Sequence, residues 1–303
     1  MAVIGIDLGG TKIAAALFDR NGEIICKSYR LLEGASGSAV GGLVAEAVTD
    51  LRRQRPDLPV EAVGVCVPGI VYSKKGTVWA PNIPGWDDYP LQRELEEAIG
   101  DPSVRVAIES DRTCYILGEV WKGAARGCTD AIYLAVGTGI GAGILLDGRV
   151  IHGASDIVGA TGWMALESPW REEFGPVGCF EYYASGNGIG HQAQLLYADP
   201  AKSSYDVFAG YGKDPVATQI LDKAIQLWGM GAANLVSLFN PQKVIFGGGV
   251  FGPATAFIDR IYTEACRWGQ PISMREVRFC AAETGGDAAL LGAAFLAIWE
   301  TEK

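Results

Sequence analysis

Short apolar strands alternating with helices predict an α/β protein of two similar domains around a cleft. Three observations carry this. The chain of 303 residues has room for about two domains at ~150 residues each. Apolar runs repeatedly end in glycine turns. Shifting the sequence by 128 residues lays Ile4 and Ile6 on Ile132 and Leu134, Gly9 on Gly137, and Leu17-Phe18-Asp19 on Leu145-Leu146-Asp147. Both copies read strand, glycine turn, strand, tight turn, strand, as a duplicated β-meander would.

In chain order, residues 3–8 form the first apolar run, Gly9-Gly10-Thr11-Lys12 a turn, and 13–18 a second run. Asn21-Gly22 before the third run, 23–27, is a hairpin signal. Helices are predicted at 39–54 and 90–99, a buried strand at 62–67, and a strand at 104–109 running into a helix that ends near Gly123. The second copy places strands at 131–136, 144–146 and 149–151, with Gly137-Thr138-Gly139 and Asp147-Gly148 as turns. Residues 152–213 read as irregular. A helix is predicted at 215–239, stopped by Asn240-Pro241. A strand at 244–246 ends in Gly247-Gly248-Gly249; a helix near 254–267, a strand at 277–281 and a closing helix at 288–300 follow. Domain boundaries are expected at 1–118 plus 288–303, and 119–287.

The composition excludes several function classes. With 25 Lys+Arg against 35 Asp+Glu, the net charge is −10, so no nucleic-acid or membrane-surface partner is expected. The N-terminus lacks a basic region, and Asp7 interrupts any signal-like apolar stretch. No run approaches the ~20 apolar residues of a membrane span. Seven cysteines without a C-x-x-C pair fit reduced thiols in a cytoplasmic protein. The 41 glycines, about twice the ~7% norm, follow no collagen period.

The glycines matter at three turns that follow strands: 9–11, 137–139 and 247–249. Glycine lets backbone N–H groups approach an anion closely, and Thr11, Thr138 and Lys12 add donors suited to phosphate. Each turn alone is equally a plain hairpin; three together, two of them in duplicated positions, point to a nucleotide. The Walker pattern is absent. Gly137-x-Gly139-x-x-Ala142 matches a dinucleotide fingerprint only formally, because a hairpin follows where a helix is required. Asp111, at a strand–helix junction, reads both as a helix cap, with Ser110 beside it, and as a general base.

These pieces together resemble the ROK family of sugar kinases, within the actin-like (ribonuclease H-like) ATPase superfamily. The resemblance rests on Ile4 to Lys12, Ala80-Pro81-Asn82-Ile83-Pro84-Gly85-Trp86, Glu109-Ser110-Asp111, Leu134 to Gly143, Pro241 to Val250 and Gly285 to Ala297. It implies two actin-like domains around an interdomain cleft, and transfer of the γ-phosphoryl of ATP, with Mg²⁺, to a sugar hydroxyl, by default the 6-hydroxyl. It implies Asp111 as catalytic base and Gly69, Asn82, Ser110, Asp111 and Glu181 toward the acceptor. It implies Asp7, Gly9, Gly10, Thr11, Lys12, Gly137, Thr138, Gly139, Gly248 and Gly249 toward the nucleotide, Asp7 being the acid near Mg²⁺. A homodimer is also implied.

Two family motifs are altered. Where the family carries Gly-Glu-x-Gly-His, this chain reads Gly159-Ala160-Thr161-Gly162-Trp163, without the Glu and His that grip the sugar. Of the family's Cys-x-Cys-Gly-x-x-Gly-Cys-x-Glu zinc loop only Cys179 and Glu181 remain, so no structural zinc is expected. Packing of Trp163, Trp170, Phe174, Phe180, Tyr182 and Tyr183 is expected to hold this loop instead. The losses point to a modified acceptor, an amino sugar such as kanosamine or a cyclitol, with Glu181 and Asp156 either facing an ammonium or lying in a solvated loop. An ordinary glucokinase or fructokinase, a non-catalytic sugar sensor, and polyphosphate as donor stay open.

Overall fold

The computed structural model describes residues 2–302, which divide into two compact units. One comprises residues 2–126, His152–Ile157 and 283–302; the other comprises Gly127–Ile151 and Val158–Ala282. The expected division at 118/119 falls inside a continuous helix, Asp111–Lys122, so the chain leaves the first unit only after that helix has ended.

The first unit begins with β1 (Ala2–Leu8), β2 (Lys12–Asp19), β3 (Ile24–Leu31), α1 (Ser38–Gln54) and β4 (Val60–Val67). It continues with β5 (Ile70–Tyr72), β6 (Thr77–Trp79), α2 (Leu91–Ile99), β7 (Arg105–Ser110) and α3 (Asp111–Lys122). Its sheet has the order β3-β2-β1-β4-β7, antiparallel along the meander and parallel from β1 through β4 to β7. The parallel strands are buried on both faces and read as near-continuous apolar runs, as parallel strands must. One face packs Ile4, Ile6, Val63, Val65 and Ile108 with α1 residues such as Val44 and Leu51. On the other, Val3 and Ala62 meet Leu290, Ala294 and Ala297 of the chain's last helix.

The second unit repeats the plan. It contains β8 (Ala131–Val136), β9 (Ile140–Leu146), β10 (Arg149–Val150), α4 (Cys179–Ala184), α5 (Gly186–Tyr197), α6 (Ser204–Gly210) and α7 (Pro215–Phe239). Then come β11 (Lys243–Gly247), α8 (Ile258–Trp268), α9 (Pro271–Glu276) and β12 (Arg278–Ala281). The closing helix of the first unit is α10 (Ala288–Glu302). The second sheet, β10-β9-β8-β11-β12, matches the first strand for strand, so the 128-residue echo is a repeat of topology. The long helix α7 follows its local signals closely. The Asp214 carboxylate caps it by accepting from Val216 N (2.8 Å) and Ala217 N (3.2 Å), Pro215 opens it, and Asn240 closes it in the left-handed conformation.

Several features depart from the sequence reading, among them β9, which begins at Ile140 rather than at 144. Residues 152–213 contain α4, α5 and α6 rather than irregular chain. The small β5–β6 hairpin and α9 were not anticipated. Trp163 and Trp170 are exposed, at 58% and 69%, and do not hold the loop. Phe174, Tyr182 and Tyr183 do pack edge to face, with centroids 4.9–5.8 Å apart, and Phe180 is fully buried against α7.

Candidate active site

Each unit carries its own part of the predicted site. In the first, the parallel register sets Asp7 opposite Cys66 and Cys66 opposite Glu109. Residues in register share a sheet face, so these three form one row near the carboxyl ends of β1, β4 and β7, the edge where open α/β sheets bind ligands. One residue beyond β7, Asp111 begins α3. Ser110 is the N-cap: its hydroxyl accepts from Thr113 N (3.4 Å) and donates to Thr113 Oγ1 (3.2 Å). The Ser110 hydroxyl is thereby engaged by the helix, and Asp111 is displayed at the first position. Its Oδ1 accepts from Arg112 N at 2.7 Å.

The electrostatics of this row are unfavourable to negative charge. Burial pushes the Asp111 carboxyl above the ordinary aspartate range, against the pull of Arg112. Asp7 is raised by burial and then by the charge of Asp111, with a smaller push from Asp287; Lys12 and a hydrogen bond with Cys66 oppose this. Glu109 is raised by burial and lowered by His152. Desolvated carboxylates that repel one another suit a divalent cation bound through oxygens, which would relieve them. The residues present thus fit Mg²⁺, although among the described residues no group of three or more His, Cys, Asp and Glu is close enough to hold a metal as direct ligands. A magnesium ion that keeps several waters does not need such a cage.

The turn after β1 is closed by Gly9 N donating to Lys12 O at 2.9 Å. Gly10 and Thr11 are exposed at its tip, and Gly10 abuts Asn82, so a nucleotide candidate and an acceptor candidate are neighbours here. They border a recess of about 420 Å³ with Leu32, Glu33 and Pro84. The Lys12 ammonium sits 5.5 Å from the ring centroid of Tyr29, which holds it at β3. Gly69 lies between β4 and β5.

In the second unit the two remaining glycine turns stand side by side, because β8 and β11 are parallel neighbours. Gly248 has φ +88°, and a side chain there would strike Val136 O, so only glycine allows this approach. The 137–139 turn is pinned by Gly137 N to Gly139 O (2.9 Å), and its carbonyls accept from Gly186 N (2.7 Å) and Asn187 N (3.3 Å) at the start of α5. Glu181, from α4, reaches back so that its Oε2 accepts from Ile140 N at 2.7 Å. Gly139 and Gly162 leave the space it fills. Burial raises the Glu181 carboxyl, and the Ile140 N–H partly offsets this.

The ROK family profile matches residues 3–300. The chain belongs to the ROK family. The ROK hexokinase from Thermus thermophilus is similar to it over 100% of this chain and 99% of that one, at 34% identity and a TM-score of 0.87. A ROK glucokinase from Streptomyces griseus, solved with glucose and AMPPNP, shares 31% identity over 99% of this chain and 100% of that one, with a TM-score of 0.76. An N-acetyl-D-glucosamine kinase from Citrobacter koseri is 30% identical, covering 96% of this chain and 98% of its own. The ROK fold is accordingly the actin-like two-domain α/β fold anticipated from the motifs.

Against that family pattern, the altered segment 159–163 forms a short 3₁₀ turn in which Trp163 is exposed and the Thr161 hydroxyl is buried without a hydrogen-bond partner. Asp156 is half-buried. Its carboxylate accepts from Ser73 N (3.2 Å) and Ser73 Oγ (2.9 Å). Cys179 is buried at the head of α4. All seven cysteines are free thiols. No helix among the described residues is long and apolar enough to cross a membrane. Sequence reasoning assigned no role to Glu109, His152 or Asp287. Glu109 and Asp287 lay inside the diagnostic segments, but only strand register and loop closure bring them to Asp7 and Asp111.

Proposed function

We propose that this ROK sugar kinase transfers the γ-phosphoryl group of ATP to a hydroxyl, the 6-hydroxyl, of a hexose or modified hexose, with Asp111 as general base. The observation that carries the reading is the carboxylate of Asp111, displayed at the end of a parallel strand and raised by burial toward a working pH. Asp111 takes the acceptor's hydroxyl proton as the new O–P bond forms and the bond from phosphorus to the ADP oxygen breaks. The proton then leaves Asp111 for solvent. Positioning and charge stabilisation supply most of the rate in such transfers.

Gly9, Gly10, Thr11 and Lys12, with Gly137, Thr138, Gly139, Gly248 and Gly249, hold the nucleotide through backbone N–H groups and hydroxyls. Asp7 would hold Mg²⁺, which when bound would neutralise developing phosphate charge. The AMPPNP carried by the S. griseus relative supports ATP as donor. Gly69, Asn82 and Glu181 contact the acceptor, and Ser110 contributes by fixing the start of α3.

For the acceptor we favour an amino sugar or cyclitol over glucose, because Ala160 and Trp163 replace two sugar-gripping side chains. Glu181 of the second unit is the carboxylate proposed to face an ammonium, with Asp156 of the first, which also accepts from Ser73, as the other candidate. ADP release measured with ATP and glucose, mannose, fructose, N-acetylglucosamine, kanosamine and inositols tests this, with polyphosphate replacing ATP in parallel. Release above background with one sugar supports the kinase; none with any sugar overturns it. The family resemblance also supports a cytoplasmic homodimer, which sedimentation equilibrium checks.

A further inference from the structure

Residues His152–Ile157 pack with the first unit although the chain on both sides of them belongs to the second. This short strap is held at both ends. Asp156, in the left-handed region at φ 59°, is fixed by its two contacts with Ser73. At the other end, His152 Nε2 lies 3.4 Å from Glu109 Oε1. Glu109 is the last member of the Asp7–Cys66–Glu109 row and sits two residues before Asp111. Its side chain is 18% exposed, and its carboxylate also accepts from Ser110 N at 3.3 Å. The imidazole in front of it is 39% exposed. Nothing in the phosphoryl-transfer scheme uses either group.

We infer that His152 is a specificity-determining residue that binds a hydroxyl of the acceptor, with Glu109 behind it as a positioning residue. The inference rests on the kinase reading above. With the Glu109 carboxylate near Nε2, Nδ1 is the ring nitrogen with no protein partner among the described residues, able to exchange a hydrogen bond with a hydroxyl. The ring stands on the same unit as Asp111 and beside the strand that displays it, so a hydroxyl it holds belongs to the molecule whose proton Asp111 removes.

The test is steady-state kinetics of the full chain with the best sugar and its monodeoxy analogues, for wild type, His152→Gln, His152→Ala and Glu109→Gln. His152→Ala should raise the acceptor KM about five- to tenfold, the worth of one hydrogen bond, and leave the KM for ATP and kcat within about twofold. For one deoxy analogue the two losses should not add, because the same hydrogen bond is removed twice. Glu109→Gln should shift the acceptor KM in the same direction by less. His152→Gln, matched in size, should melt with wild type while retaining the acceptor defect. Equal penalties for every analogue in wild type and variants, or an unchanged acceptor KM, overturn the inference alone. A wild type that phosphorylates no sugar overturns the kinase reading, and this inference with it.

Discussion

The buried carboxyl of Asp111 comes at a cost to stability. Its carboxyl is raised by burial, so the folded state binds the proton more tightly than the unfolded chain does. The sign follows: this group favours folding at low pH, and its contribution declines as pH rises from the ordinary aspartate value of about 3.9 to the raised folded value. At neutral pH the charged form is disfavoured, all the more because Asp7 feels the same charge. Asp111→Asn should therefore lower kcat by about 10²–10⁴, the usual contribution of a general base, while raising Tm by a few degrees. Loss of turnover with a lower Tm would instead indicate a damaged fold. In wild type the acid limb of kcat/KM should lie above the ordinary aspartate range, with rate rising as pH increases and the base deprotonates. A pH–rate profile flat down to pH 4 would contradict the assignment. The place of Asp111 at a strand–helix junction was legible in the sequence, but the cap is Ser110, one residue earlier. The electrostatics of Asp111 were not, because they come from burial, which only the folded chain imposes.

At the scale of elements, the most consequential side chain is one that no motif singled out. Glu119, fully buried on α3, accepts from Ala124 N at 2.6 Å, from Glu283 N at 3.1 and 3.2 Å, and from Thr284 N at 3.0 Å. It also accepts from Thr284 Oγ1 at 2.5 Å. One carboxylate thus joins the end of α3 to the loop that carries Asp287 and opens α10. Glu119→Ala would leave these donors without their acceptor and should cost about 3 kcal/mol, read as a lower urea midpoint at unchanged m-value. Glu119→Gln, which keeps an acceptor oxygen, should lose less. Elements with complete local signals were legible: the β1–β3 and β8–β10 meanders through their Asn-Gly and Asp-Gly turns, and α7 through Asp214, Pro215 and Asn240. Helix α5 was not, because it opens Gly186-Asn187-Gly188-Ile189-Gly190 and glycine disfavours helix by about 1 kcal/mol each. Its packing against α4, α6 and α7 overrides that preference. Helices α4 and α6, of six and seven residues, are too short to show a period.

For the whole molecule, the retained fold and the altered loops lead to different expectations. If aromatic packing and the half-buried Glu181 hold the 159–181 region without zinc, prolonged dialysis against EDTA should leave Tm unchanged, and metal analysis should find well under one zinc per chain. A drop of several degrees, restored by zinc, would refute this. The amino-acid sequence specified the duplicated α/β plan, the glycine turns after β1, β8 and β11, and the residues that mark the family, because strands, turns and caps answer to local pattern and to backbone sterics. Packing settled the rest. Parallel register aligns Asp7, Cys66 and Glu109, a six-residue strap from His152 to Ile157 returns to the first unit, and Glu119 ties α3 to a loop more than 160 residues along the chain. Such pairings join residues far apart in sequence, and no local periodicity encodes them; they exist only once the sheets have formed and their faces are covered.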